Sequence, residues 1–271
     1  MNLQGDNMEK GMSKLTKYLF SYLEPGKEEE IDIYIGDALT RDYISLESDE
    51  QVKEMFGEMA AEFTFGLTYK EALSLRSYSG FSHKEINALL RDKWNYEQHG
   101  LLTDEKRRDY SETAQEVEKV LFKFPSLDKN LKVYRGVTLA QFRDYGIYNL
   151  EELTAMQGKY FYDSGFTSTS LVRSSSLYNT EAFQIGNRNI EIEYLIPEEC
   201  HDGALLLDDY TSHYKSENEY LINSSNLIRI ISVDIDKENN TAFLRAILVP
   251  KKVWDPMAVK YLEEATQKIT K

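Results

Sequence analysis

The residues best suited to chemistry are two carboxylates that stand two positions apart. Glu217 and Glu219 flank Asn218 and lead into the apolar run 220–222. If this segment is a strand, alternation points both carboxylates to one face, at a separation of about 7 Å. Like charges at that distance repel, so the pair is unfavourable unless a cation or a substrate lies between them. The alternative is a solvated strand edge in an acidic protein.

An arginine inside an apolar strand is the second candidate. Arg135 lies between Val133 and Val137, and alternation places all three side chains on one face. A guanidinium in an interior needs an anion, which is either a bound ligand or one of the many carboxylates of the chain. From this segment alone, an ordinary ion pair is the simpler interpretation.

A hydroxyl-rich segment lies between the arginine and the carboxylate pair. Ser168, Thr169 and Ser170 follow Gly165-Phe166-Thr167. Considered alone, this is an ordinary strand with exposed hydroxyls. Its interest comes from its position in the order arginine, Ser-Thr-Ser, Glu-x-Glu.

The first half of the chain is predicted to be mostly helical. An amphipathic helix over residues 8–23 ends at Pro25-Gly26, and it is interpreted either as packing on the domain or as docking to a membrane or partner. The alternation of Ile31, Ile33 and Ile35 predicts a short strand. Capping boxes predict that helices begin directly after Ser48, Thr68 and Ser82. A further helix is expected over 111–123.

After residue 130 the hydrophobic period changes to two. This predicts strands over 131–137, 159–170, 190–196, 204–207, 219–222, 228–235 and 242–249. Helices followed by strands predict an α+β fold rather than a doubly wound parallel sheet. Asp255 before Pro256 predicts the start of a last helix.

Composition excludes several classes of protein. The chain has 271 residues and a formal net charge of −14, so its field repels nucleic acid and anionic lipid, and neither is expected as a partner. Cys200 is the single cysteine, which rules out an intrachain disulfide. The four histidines have no metal-binding spacing, and no metal is expected.

The chain contains no signal-peptide pattern and no apolar run near the ~18 residues of a membrane helix, which predicts a soluble protein, either cytoplasmic or exported as an effector without a classical signal.

In their order along the chain, the three motifs resemble the arginine-modifying branch of the bacterial mono-ADP-ribosyltransferases. Tyr214, three residues before Glu217, resembles the aromatic residue of the family's substrate loop. The whole segment 214–222 is similar to the enzymatic components of clostridial binary toxins and vegetative insecticidal proteins. The segments Tyr78-Ser79-Gly80, Ile86-Asn87 and Leu90-Arg91 are similar to the helix that precedes the catalytic sheets in those toxins. The resemblance covers about residues 50–250.

The resemblance implies that NAD⁺ is the substrate, that ADP-ribose passes to a protein acceptor, with an arginine side chain as the expected attachment point, and that nicotinamide is released. It assigns Glu219 to stabilising the oxocarbenium-like centre, Glu217 to activating the acceptor, and Ser168 to orienting Glu219. Tyr214 would contact the acceptor protein. The residues that the resemblance places on the NAD⁺ side are Arg135, Thr169, Ser170, Arg173, Tyr78 and Arg91, of which Tyr78 and Arg91 are equally well explained as structural.

The resemblance also implies N-terminal helices packed on two facing antiparallel sheets. We expect an N-terminal extension over 1–47, a catalytic domain over 48–250, a helical tail over 251–271, and a monomer. Two other functions remain open, namely an NAD⁺ glycohydrolase and a catalytically silent binding module on the same fold. The acceptor is also open, because similar enzymes modify actin, small GTPases, host enzymes or bacterial proteins.

Overall fold

A computed structural model describes residues 26–173, 189–200, 202–208, 210–212 and 218–255. Four sequence predictions lie outside these ranges: the helix over 8–23, Tyr214, Glu217, and the helix expected after Asp255.

The described helices precede most of the strands. They are α1 (Lys27–Ala38), α2 (Asp49–Phe65), α3 (Tyr69–Ser77), α4 (His83–Leu90), α5 (Tyr96–His99), α6 (Asp104–Leu121) and α7 (Lys251–Trp254), with a π-helix over Tyr78–Ser82 and 3-10 helices over Leu139–Tyr145 and Glu151–Met156. The strands are β1 (Leu131–Val137), β2 (Tyr160–Asp163), β3 (Thr167–Ser170), β4 (Ile190–Ile196), β5 (Gly203–Leu206), β6 (Glu219–Ile222), β7 (Asn226–Asp236) and β8 (Thr241–Val249). None of the described helices is long and apolar enough to cross a membrane.

All three predicted helix starts are confirmed. The Ser48 hydroxyl accepts a hydrogen bond from the Gln51 amide at the start of α2, and Thr68 forms a reciprocal capping box at the start of α3. α4 begins at His83 directly after Ser82, but the Ser82 side chain forms no capping hydrogen bond there, because the π-helix runs directly into α4. The Ser82 hydroxyl instead donates to the Ser77 carbonyl at 2.8 Å.

The predicted strand at residues 31–35 is also wrong, because this segment belongs to α1. Ile31 and Ile35, four positions apart, are buried on one face, whereas Ile33 is 68% exposed. Three glutamates in the first turn, residues 28–30, favour a helix because they face the positive end of its dipole. The buried face of α1 packs with Leu227, Ile247 and Trp254, so this part of the expected extension is attached to the sheet.

The α+β class is confirmed, and the strands form one hydrogen-bonded sheet. Its order is β2-β7-β8-β4-β1-β3-β6-β5, with β4 and β8 parallel and the other pairs antiparallel. The two halves expected as separate sheets are joined between β1 and β3, where the single register pair is Tyr134 with Ser170. A large apolar cluster contains side chains from both halves and from α2, α3, α4 and α6.

The predicted strand over 159–170 is divided in two. Residues 164–166 separate β2 from β3, and the two strands occupy distant places in the sheet. β2 is an edge strand paired with β7, whereas β3 lies between β1 and β6. The ends of the two strands nevertheless lie close together, because the Thr167 hydroxyl donates to the Asp163 carboxylate at 3.0 Å across the turn at Gly165.

Candidate active site

Three motifs that are far apart in the sequence lie on neighbouring strands. Arg135 is on β1, the Ser-Thr-Ser segment is on β3, and Glu219 begins β6. β3 lies between the other two strands in the sheet. The guanidinium of Arg135 donates from Nη1 to the backbone oxygen of Ser168 at 2.9 Å, which fixes the arginine against the central strand.

Glu219 is buried, with 4% of its surface exposed. The register places Ser170 directly opposite Glu219, and Ser168 opposite Leu221. Ser168 therefore shares a face with Glu219 but lies on the diagonal, at about 7–8 Å between Cα atoms. Ser170 is the serine that faces Glu219, which the resemblance did not imply.

Glu217 lies outside the described residues, so the predicted shared face of Glu217 and Glu219 stays a prediction. β6 begins at Glu219, and Asn218 before it has a left-handed backbone with φ of 46°. Strand alternation of the side chains therefore holds from Glu219 onwards.

Arg135 lies at the edge of a small cavity on the inner side of the sheet. Among the residues that the structure describes, its hydrogen bond goes to a carbonyl oxygen and it forms no ion pair. The other lining residues are mainly apolar and aromatic, with one carboxylate, one amide and two hydroxyl-bearing side chains: Gln141, Phe142, Phe161, Asp163, Thr167, Ile192, Tyr194, Ile228 and Ile230.

Arg91 has a structural role in this fold. Its Nε and Nη2 atoms donate to the two carboxylate oxygens of Asp163 at 2.7 and 2.9 Å. Nη2 also donates to the Phe166 carbonyl at 3.0 Å. These bonds hold the turn between β2 and β3. They also occupy donors of the Arg91 guanidinium, which the resemblance places on the NAD⁺ side.

Tyr78 is part of the same framework. It is 2% exposed, its ring packs edge-on against Phe166 at 4.9 Å between centroids, and its hydroxyl accepts from Asn87 Nδ2 at 2.9 Å. Asn87 Oδ1 in turn accepts from the Phe166 amide at 2.9 Å. Burial, and to a smaller extent the charge of Glu219, raise the pKa of Tyr78, so its hydroxyl stays protonated beside the acidic site.

Asp163 is a site-supporting residue that the sequence reasoning missed. Its carboxylate also accepts from the Gly165 amide at 2.9 Å and from the Thr167 hydroxyl at 3.0 Å. Burial opposes its ionisation, but Arg91 and the Gly165 amide lower the pKa of Asp163 overall. An aspartate placed before Ser-Gly is a turn signal that could have identified it.

Two of the proposed NAD⁺-side hydroxyls are engaged within the sheet. Thr169 is 4% exposed and donates to the Tyr220 carbonyl at 2.6 Å. The Ser170 hydroxyl donates to the Val172 carbonyl at 3.0 Å and accepts from the Val172 amide at 3.2 Å. These bonds fix the end of β3 where it faces Glu219.

Arg173 forms a two-bonded ion pair with Glu191. The distances are 2.7 Å from Nε and 3.1 Å from Nη2, and the arginine side chain is 56% exposed. Its guanidinium also lies over the Phe243 ring, 5.4 Å from the centroid. Arg173 borders a separate surface cavity of about 430 Å³ together with Asp234 and Asp236.

Within the described ranges, no group of three or more histidine, cysteine, aspartate or glutamate residues is arranged to hold a metal ion. Cys200 is buried, and burial raises the pKa of its thiol well above the ordinary value. A thiol in that state is a poor nucleophile.

Comparison of the sequence with protein families gives a match over most of the chain. The model of the ADP-ribosyltransferase exoenzyme family matches residues 50–251, and the protein therefore belongs to this family. Comparison with curated proteins gives no match.

Solved structures share the fold at low sequence identity. C3stau2 from S. aureus, solved with NAD, has a TM-score of 0.58 and 16% identity, over 78% of this chain and all of that one. The Clostridium limosum C3 exoenzyme has a TM-score of 0.56 and 19% identity, over 77% of this chain and 98% of that one. The enzymatic component C2-I of the C2-toxin from Clostridium botulinum has a TM-score of 0.57 and 16% identity, over 77% of this chain and 50% of that one.

Proposed function

We propose that this protein is a mono-ADP-ribosyltransferase that transfers ADP-ribose from NAD⁺ to an arginine side chain of a protein acceptor. The observation that carries the proposal is the adjacency of β1, β3 and β6 in the sheet, which makes neighbours of the strands that carry Arg135, Ser168 and Glu219, with Arg135 bonded to the Ser168 carbonyl. Membership of the ADP-ribosyltransferase exoenzyme family and a shared fold with a NAD-bound relative support it.

The reaction breaks the bond between nicotinamide and ribose. Nicotinamide leaves with the bonding electrons, and the ribose carbon develops oxocarbenium-like positive charge. Glu219 is buried, so its carboxylate acts on that charge with little screening by water. A guanidinium nitrogen of the acceptor then forms the new bond to the ribose carbon and loses one proton.

Arg135 is proposed to bind the pyrophosphate. One of its donors is held by the Ser168 carbonyl, and the remaining donors of the planar fork suit an anion. Thr169 and Ser170 are proposed to shape the NAD⁺ side of the site by fixing β3. A phosphate contact by Arg173 would require the phosphate to compete with Glu191.

Glu217 and Tyr214 are proposed to act on the acceptor side. A carboxylate at position 217 would accept the proton that the attacking guanidinium loses. Tyr214 would contact the acceptor protein. We propose residues 48–250 as the catalytic domain, with extensions over 1–47 and 251–271.

The proposal is tested by incubating the full chain with NAD⁺ labelled in the adenine moiety and with a cell lysate. We expect nicotinamide release and labelled protein, and mass spectrometry should place ADP-ribose on arginine. The linkage should be labile to neutral hydroxylamine, so a resistant product would overturn the arginine assignment. Nicotinamide release without labelled protein would indicate an NAD⁺ glycohydrolase, and failure to bind NAD⁺ would indicate a silent module.

A further inference from the structure

The residue between the two carboxylates has an unusual backbone. Asn218 is 4% exposed and has φ of 46°, in the left-handed region. Residues with a Cβ rarely adopt this region, and asparagine is among the few that tolerate it. The next residue is Glu219, the first of β6.

Two hydrogen bonds hold Asn218 in place. Its side-chain Nδ2 donates to Asp49 Oδ1 at 2.6 Å, and its carbonyl accepts from the Leu171 amide at 3.0 Å. Asp49 is the first residue of α2, and a β-bridge between Leu46 and Val172 holds the segment before α2 against the end of β3. Asn218 is therefore anchored to the helical half of the protein and to the strand that faces Glu219.

These contacts determine where β6 begins. An extended residue at position 218 would continue the strand backwards and place residue 217 on the same face as Glu219. A left-handed residue turns the chain instead, so the strand starts at Glu219, directly opposite Ser170.

We infer that Asn218 is a positioning residue, and that its left-handed backbone, held by the carboxylate of Asp49, fixes the start of β6 and so the place of Glu219. The inference rests on the proposed function of Glu219 for its catalytic consequence. The middle position of the Glu-x-Glu motif then requires a residue that tolerates a left-handed backbone. The bond to Asp49 also connects α2 to the site.

Three variants separate the backbone conformation from the anchor. Asn218→Ala disfavours the left-handed backbone and removes the side-chain bond, Asn218→Gly keeps the conformation accessible and removes the bond, and Asp49→Ala removes the acceptor together with one carboxylate of the first turn of α2. Asn240→Ala is the matched control, because Asn240 also has a left-handed backbone, with φ of 50°, but lies in the exposed turn between β7 and β8.

We expect Asn218→Ala to lower the kcat of nicotinamide release by roughly 10-fold to 100-fold, because small misplacements of a catalytic group have effects of that size. The dissociation constant for NAD⁺ should change by less than about twofold, since ground-state binding is retained. Asn218→Gly and Asp49→Ala should lie between Asn218→Ala and the parent, and Asn240→Ala should keep the parental kcat. A kcat in Asn218→Ala equal to that of the parent would overturn the inference. A fall in kcat that is fully explained by a smaller fraction of folded protein would also overturn it.

Hydrogen exchange provides a readout that does not need activity. The Leu171 amide donates to Asn218, so its exchange should be at least about 10-fold faster in Asn218→Ala and faster in Asp49→Ala, while Asn240→Ala matches the parent. Unchanged exchange in both variants would overturn the inference. A parent that releases no nicotinamide would refute the proposed function, and the exchange data would still decide whether the anchor fixes β6.

Discussion

Ser170 and Glu219 lie directly opposite each other on β3 and β6, and both are buried. The Ser170 hydroxyl is hydrogen-bonded to both polar groups of the Val172 backbone, so this wall of the site is rigid. A carboxylate held against such a wall acts on a developing charge without first reorganising its surroundings. The charge of Glu219, more than its hydrogen-bonding capacity, should therefore decide the rate.

Glu219→Gln should abolish most of the nicotinamide release, both with and without an acceptor protein. The amide has nearly the same shape but no charge, and loss of one preorganised electrostatic group lowers kcat by about 10²–10³-fold. Affinity for NAD⁺, measured by titration calorimetry, should change by only a few-fold. Glu238→Gln, in the exposed turn between β7 and β8, is the control for loss of one carboxylate. Turnover within a few-fold of the parent would remove Glu219 from the catalytic role.

Glu217→Gln should give a different result. Transfer to arginine should fall by about 10²–10⁴-fold, as expected for a lost general base. Slow hydrolysis of NAD⁺ should persist, because water needs less assistance than a guanidinium. The two rates are measured together as nicotinamide release and labelled acceptor. Equal loss of both would show that Glu217 acts on the NAD⁺ side.

The sequence was sufficient to predict the motif strands because each is long enough, or apolar enough, to show a period of two. Arg135 and Glu219 were thereby assigned to strands that the structure confirms. The segment 31–35 was misassigned because three isoleucines over five residues fit either period. The acidic first turn of α1 was the better signal there.

The contacts that organise the site have no local signal. Arg91 and Asp163 are 72 positions apart, and nothing in either segment indicates the other as its partner. Asn218 is preceded and followed by glutamate, and its side-chain bond goes to Asp49, 169 positions away, which nothing in its own segment indicates. Periodicity predicts which face a side chain occupies, but it does not predict which distant element will face it.

Asp163→Asn should strongly destabilise the fold. Removing one partner leaves the Arg91 charge buried without its counterion, and breaking a buried ion pair in this way lowers the free energy of unfolding by about 3–5 kcal/mol. Lys70→Met is the control, since Lys70 is 78% exposed and a surface pair of this kind contributes about 0–1 kcal/mol. Urea unfolding measures both variants. If both variants lower the free energy of unfolding by a similarly small amount, the ion pair between Arg91 and Asp163 does not stabilise the fold.

The effect of Asp163→Asn should depend on pH. The pKa of Asp163 is lowered in the folded protein because Arg91 outweighs the effect of burial. A lowered folded pKa stabilises the protein above the unfolded pKa of about 3.9, and the contribution is lost as the pH falls through the folded pKa. The difference in unfolding free energy between parent and variant should therefore be full at pH 7 and shrink in acid. A constant difference would assign the stabilisation to packing instead of charge.

Gly165→Ala tests whether the turn before β3 tolerates a side chain. A Cβ at this position would lie 2.6 Å from Arg91 Cζ and 2.7 Å from Nε, too close for any real contact. An arginine at the surface would move aside, but Arg91 is held by Asp163 and by the Phe166 carbonyl. We expect a loss of about 1–3 kcal/mol in the free energy of unfolding, as for other overpacked sites.

The matched control is Gly57→Ala, in the middle of α2, where an added Cβ meets nothing within 4 Å. Alanine should stabilise that helix by about 0.5–1 kcal/mol, so the two substitutions should have opposite signs. Nicotinamide release should fall only in Gly165→Ala, because Arg91 also bonds to the residue before β3 and its displacement moves the strand that faces Glu219. If Gly165→Ala were as stable as the parent, the Arg91 guanidinium could move away from Asp163 without loss of stability. The hydrogen bonds of Arg91 to Asp163 and Phe166 would then not hold the turn rigidly.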